Sequence, residues 1–137
     1  MTSVVLVDTN IVVDVLQEDP VWAEWSANQM RTLKLMHRLA INPVIYAELA
    51  MSFDSIDDLD ATLATGGLQL EEMPRPALFL AAKAHKAYRQ RGGTRNQVLP
   101  DFFIGAHAAT NRWALLSRDR ARYTTYFPTL RVIAPDS

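Results

Sequence analysis

Ser3-Val4-Val5-Leu6-Val7-Asp8-Thr9-Asn10 is a short, mostly β-branched run that breaks at once into three residue types favouring turns and helix caps. It reads as strand then helix, with Asp8 at the junction. Ile11, Val12, Val13, Val15 and Leu16 continue as a short apolar helix that ends near Gln17-Glu18-Asp19-Pro20. Pro20 is placed to open the next helix, on which Val21, Trp22, Trp25, Met30, Leu33 and Met36 form one stripe.

Similar punctuation recurs along the chain. Leu39-Ala40-Ile41 predicts a second buried strand, and Pro43 the first turn of a helix carrying Ile45, Leu49 and Phe53 on one side with Glu48 inside it. Ser55 caps the following helix, Asp57 and Asp58 complement the dipole of its first turn, and Gly66-Gly67 ends it. Residues 68–73 alternate as a third, edge strand. Over residues 76–91, Leu78, Ala81, Ala82, His85 and Tyr88 have helical spacing, and Lys83, Lys86, Arg89 and Arg91 fall on the wet positions. Gly92-Gly93 stops that helix, and residues 92–99 read as a loop into Pro100-Asp101, the start of a helix running through Ile104 and Ala108. Residues 113–117 predict a fourth strand, 119–126 a short helical or turn segment, and 130–133 a fifth strand. Strands separated by helices at this spacing define an α/β class, a three-layer α/β/α sandwich with a mainly parallel sheet of four or five strands. The 137 residues fit one domain spanning positions 1–137.

Composition narrows the class further. With 49% hydrophobic and 21% charged residues the chain is globular rather than disordered. The absence of cysteine excludes disulfides and thiolate metal sites and suits a reducing compartment. The longest apolar run, residues 77–82, is far short of the ~18 residues a membrane span needs. No basic region precedes the first apolar run, so a signal peptide is not predicted and a cytoplasmic location is expected. The net charge of −1 conceals a split. Residues 1–74 carry three Lys/Arg against twelve Asp/Glu, and residues 75–137 eleven against three. A basic half of this kind is suited to polyanions, although helical faces that merely differ in charge produce the same split.

Four acids sit at or just beyond boundaries between apolar stretches and helix-starting or loop-like stretches: Asp8, Glu48, Asp101 and Asp119. If the apolar runs are parallel strands, three of them lie near the carboxyl edge of one sheet, where open α/β proteins build their sites, and Asp101 reaches it from a helix start. Two carboxylates about 5 Å apart repel by on the order of 3 kcal/mol at an effective dielectric near 20, so such a group needs a cation or retained protons. All-oxygen ligands favour Mg2+, with Mn2+ as a substitute, over Zn2+. The chemistry such a site performs well is ionising a water for in-line attack on a phosphodiester. Each acid taken alone also reads as a helix cap, a dipole partner or a solvated helix residue.

The combination decides between these readings. Asp8-Thr9-Asn10 after the first strand, Glu48 on the helix after the second, Leu99-Pro100-Asp101 leading into Gly105, and Leu116-Ser117-Arg118-Asp119 followed by Tyr126-Phe127-Pro128 together resemble the PIN-domain ribonucleases. Within that family the pattern is most similar to the VapC toxins of bacterial toxin–antitoxin pairs. The resemblance implies an Mg2+-dependent endoribonuclease with Asp8, Glu48, Asp101 and Asp119 as its catalytic acids. Asp8, Asp101 and Asp119 would contact metal, directly or through water, and Glu48 would orient the attacking water. Asn10 and Ser117 match polar positions that hold the carboxylates in place. The resemblance further implies an RNA substrate, an antitoxin protein seated against the first two helices, and a homodimer.

Arg95, Arg118, Arg120 and Arg122 flank the last two acids and are candidates to grip RNA phosphates. His85 and His107 read as packed or surface histidines. The competing reading is a non-catalytic PIN-fold module that binds RNA or protein, against which stands the retention of all four acids. An aspartyl-phosphate phosphatase would need a second Asp where Asn10 stands, and a receiver domain a late lysine, whereas the last is Lys86.

Overall fold

In the computed structural model, which describes residues 3–94 and 99–135, the elements run in this order: β1 (Ser3–Val7), α1 (Thr9–Leu16), α2 (Ala23–Leu33), β2 (His37–Ile41), α3 (Pro43–Ala50), α4 (Ile56–Gly66), β3 (Leu68–Leu70), α5 (Arg75–Gln90), α6 (Leu99–Asn111), β4 (Ala114–Leu116), α7 (Ala121–Thr124) and β5 (Val132–Ile133). The five strands form one sheet in the order β3-β2-β1-β4-β5, and every pairing is parallel. Val4 to Val7, Leu39 to Ile41 and Leu115-Leu116 are buried on both faces of the pleat, as a parallel sheet covered by helices on both sides requires. This is the α/β/α sandwich expected from the alternation of strands and helices.

Chain order moves outward from β1 in one direction through β2 and β3, then returns across the sheet to β4 and β5. The strand order therefore reverses between β1 and β4. Their carboxyl ends flank the crevice where open α/β sheets bind ligands. The edge strands are short, three residues for β3 and two for β5, which limits unpaired backbone.

Caps follow the sequence closely. Asp8, Asn42 and Ser55 cap α1, α3 and α4, each accepting a backbone N–H with its side-chain oxygen. Gly67 ends α4 in the left-handed region at φ 70°. Two predicted faces are corrected. On α5 the buried positions are Ala77, Ala81 and Ala84 rather than the stripe through Leu78 and Ala82. The small side chains let α5 pack closely, and Leu78, Phe79 and Leu80 are left exposed. The stripe expected to continue through Val21 and Met36 is interrupted because both lie outside α2 and are exposed; Trp25, Met30 and Leu33 alone pack against the core. No helix among the described residues is long and apolar enough to cross a membrane.

Candidate active site

Asp8 is the first residue past the central strand. Its N–H donates to the carbonyl of Leu116 at 2.9 Å, which continues the β1–β4 ladder by one bond and holds Asp8 over the crevice. Its side chain is only 2% exposed, yet all of its acceptor oxygens are used. Oδ1 accepts the Thr9 N–H at 2.7 Å, while Oδ2 accepts the Ser117 hydroxyl at 2.8 Å and the Tyr123 hydroxyl at 2.6 Å. Burial pushes the Asp8 pKa up, against the pull of these three donors. The same burial raises the Tyr123 phenol well above its ordinary value, so it remains a donor.

Ser117 is the hub of the expected supporting residues. Besides donating to Asp8, its hydroxyl accepts from the Asn10 amide at 3.4 Å and from the Asp119 N–H at 3.1 Å. Asn10 in turn accepts the Arg118 N–H at 3.3 Å. The first turn of α1 and the segment after β4 are thereby tied together, which brings Asp8, Asn10, Ser117 and Asp119 to one place.

Glu48 is carried by α3, whose N-terminus is set by Asn42: the Asn42 side chain accepts the Ile45 N–H at 2.9 Å and meets buried His107 at 3.2 Å. The Glu48 carboxylate accepts the Thr9 hydroxyl at 2.6 Å. Burial raises its pKa, the Thr9 bond opposes the rise and the Asp8 charge adds to it. Asp101 lies in the first turn of α6, and burial lifts its pKa to about 6, with Arg122 opposing and Asp8, Glu48 and Asp119 reinforcing the lift. Asp101 thus feels the charge of the other three acids.

They do not converge on a single point. Among the described residues no three His, Asp or Glu side chains are arranged to hold a metal ion between them. What stands between two of them is Arg122, whose Nε is 3.2 Å from Asp119 Oδ2 and 3.5 Å from Asp101 Oδ2. Those two oxygens share this one guanidinium. Burial alone would loosen the guanidinium's proton, but Asp101 and its neighbours more than offset this and keep it charged. The donor chemistry suits a hard divalent ion: exclusively oxygen ligands, an excess of negative charge and three carboxyls with raised pKa values.

Three of the arginines predicted to face RNA, Arg118, Arg120 and Arg122, are engaged within the protein. Arg118 pairs with buried Asp14 at 2.8 Å, as an ion pair rather than an aligned hydrogen bond, and lies over the Trp22 ring. Ser26 donates to the same Asp14 oxygen at 2.8 Å. Arg120 donates to the Val132 carbonyl at 2.8 Å. Arg95 lies outside the described residues. Sequence reasoning missed Tyr123, Asp14 and the hydroxyl of Thr9; only Thr9, standing between Asp8 and Asn10, carried a local signal.

A parallel open sheet with buried and half-buried acids at its topological switch defines a class of domains that act on ligands at the carboxyl edge. The profile of the PIN domain matches residues 5–127, so the chain belongs to the PIN-domain family. The fold is shared with chains in solved toxin–antitoxin structures. In VapBC2 from Rickettsia felis bound to a DNA fragment from their promoter, the match has a TM-score of 0.73 at 18% identity and covers 97% of this chain and 99% of that one. VapBC-1 from nontypeable Haemophilus influenzae gives 0.70 at 18%, covering 96% and 97%, and FitAcB from Neisseria gonorrhoeae 0.67 at 17%, also covering 96% and 97%. No curated protein matches the chain.

Proposed function

We propose that this chain is a metal-dependent endoribonuclease and the toxin of a toxin–antitoxin pair. The observation that carries the proposal is the placement of Asp8, Glu48 and Asp101 within mutual electrostatic reach at the switch point of a PIN-family sheet. Asp8, Asp101 and Asp119 would hold Mg2+ or Mn2+, and when bound that ion supplies Lewis acidity and a water poised to lose its proton. Glu48, its pKa raised by burial and its carboxylate oriented by Thr9, accepts the proton of the attacking water. The water oxygen bonds to phosphorus as the bond to the 3′ oxygen breaks, and the departing 3′ oxygen takes a proton from solvent, leaving a 5′-phosphate and a 3′-hydroxyl. Tyr123, Ser117 and the Thr9 N–H hold Asp8 in one orientation throughout. Arg118 and Arg120 retain N–H groups for phosphate contacts, and Arg95 is a further candidate.

The test is cleavage of cellular RNA by the purified chain with Mg2+, with and without chelator. Asp8→Asn and Asp101→Asn each reduce cleavage by at least ~100-fold, the scale expected when an essential charged group is lost. Full cleavage by either variant sinks the proposal.

An antitoxin partner is supported by an apolar groove of about 340 Å³ between α1, α2 and α4, lined among others by Val12, Val15, Leu16, Met30 and Leu68. Growth arrest on expression, relieved by an adjacent small reading frame, tests the toxin role. Exposed Leu78, Phe79 and Leu80 on α5 support a homodimer, which sedimentation velocity would read. The second reading, a PIN module that binds without cutting, is favoured by the spread of the acids, no three of which among the described residues are arranged to hold a metal ion between them. RNA binding without any divalent-ion binding would select it.

A further inference from the structure

The cation already present among the acids belongs to the protein. Arg122 sits in α7, a four-residue helix, and reaches back over Asp119 and across to Asp101. Its own N–H donates to Asp119 Oδ1 at 3.2 Å, so backbone and side chain grip the same carboxylate. The next residue, Tyr123, delivers its hydroxyl to Asp8. One turn of chain thus engages three of the four acids. With 42% of its side chain exposed, Arg122 has open solvent to swing into.

We infer that Arg122 is an intramolecular competitor of the divalent ion: it neutralises Asp101 and Asp119 in the metal-free protein and must leave them for metal to bind. This rests on the metal-dependent reading above. Electroneutrality supplies the reason. The acids repel one another, and one guanidinium between two of them relieves that repulsion at no cost in desolvating a hydrated ion. A divalent ion placed among the same oxygens would face a fixed positive charge a few ångströms away. Displacement of Arg122 removes that repulsion and leaves both carboxylates free to turn toward the metal. In this protein metal binding and movement of α7's arginine are therefore one event, and the metal affinity is set partly by a residue that is not a ligand.

Calorimetric titration of the metal-free full chain with Mn2+ tests this directly. Arg122→Gln is expected to bind Mn2+ about tenfold more tightly than wild type, the order expected from removing one nearby charge in a partly exposed site. Arg122→Lys, which keeps the charge, is expected to bind as wild type does. Equal or weaker binding by Arg122→Gln overturns the inference and leaves the metal reading standing. No Mn2+ binding by wild type or any variant overturns both. A second measurement uses the unmutated chain: the Arg122 Nε–H resonance should move and exchange faster with solvent as Mg2+ is added. A resonance unchanged at Mg2+ saturation also overturns the inference.

Discussion

At Asp8 the helix cap that the sequence offered is present, and the two carboxylate oxygens divide their donors. Oδ1 caps α1 through the Thr9 N–H, and Oδ2 faces the two hydroxyls of Ser117 and Tyr123. Nothing near Asp8 in the chain announces Tyr123, which lies 115 residues away and reads as an ordinary aromatic in a short helix. Asp8 and Ser117 were legible because each follows an apolar strand; Tyr123 was not, because its role exists only after β4 has paired with β1. Its hydroxyl is a buried donor to a charged acceptor, an arrangement that contributes roughly 1.5–3 kcal/mol. Tyr123→Phe should therefore lower the stability of the metal-free protein by about that amount in urea unfolding. It should also move the Asp8 pKa further up, since one of the donors opposing burial is gone. A variant as stable as wild type would show that the phenol is not bonded to Asp8 in solution.

Between elements, the site depends on how α6 meets the segment carrying α7. A methyl group at Gly105 on α6 would fall 2.5 Å from Phe127 Cε2 and 2.6 Å from Cδ2, with the Tyr123 ring at 3.1 Å. Phe127 and Tyr123 are buried, so neither ring has free space to retreat into. Gly105→Ala should thus cost about 1–3 kcal/mol of stability as an overpacked core position. Because the two rings it pushes flank the residues after α7, the Tyr123 and Arg122 contacts should loosen with it, which amide exchange across residues 119–124 would reveal. Unchanged stability and exchange would mean that α6 and α7 are not packed as described. The helices themselves were largely legible from caps and stop signals: Asn42 with Pro43, Ser55, and Gly67 all stand where the chain turns. The buried face of α5 was not, because apolar spacing alone does not distinguish a face of alanines chosen for close approach from a neighbouring face of larger residues that stays wet.

Across the whole molecule, the split of charge along the sequence becomes a split in space. The acidic first half builds β1, β2 and β3, the basic second half builds β4 and β5, and the candidate site lies on the seam between β1 and β4. Strand–helix alternation made a parallel sheet legible; the strand order that sets this seam was not, since no local pattern records which side of β1 the chain returns to. The seam has a consequence for stability. Asp8, Glu48 and Asp101 all have folded pKa values raised by burial, that of Asp101 to about 6, so above the ordinary carboxyl range the folded state binds more protons than the unfolded chain. Asp101 strengthens the fold as pH falls through about 6 toward 3.8 and weakens it as pH rises, and Asp8 and Glu48 act in the same direction. His107 acts with the opposite slope: burial lowers its pKa below 6.5, so its contribution is present above 6.5 and is lost as pH falls. Comparing Asp101→Asn with wild type isolates the carboxyl effect, because His107 is common to both. In chelator at pH 7.5 the variant should be more stable by about 1 kcal/mol, or roughly 4 °C in Tm, after the loss of the Arg122 pair is set against the relief of repulsion. That gain should shrink steadily between pH 6 and pH 4, where the Asp101 carboxyl of wild type is already protonated in the fold. Saturating Mn2+ at pH 7.5 should reverse the order, since only wild type then gains the full stabilisation of a bound ion. A gain that is flat with pH would place the origin of the effect in packing rather than in charge.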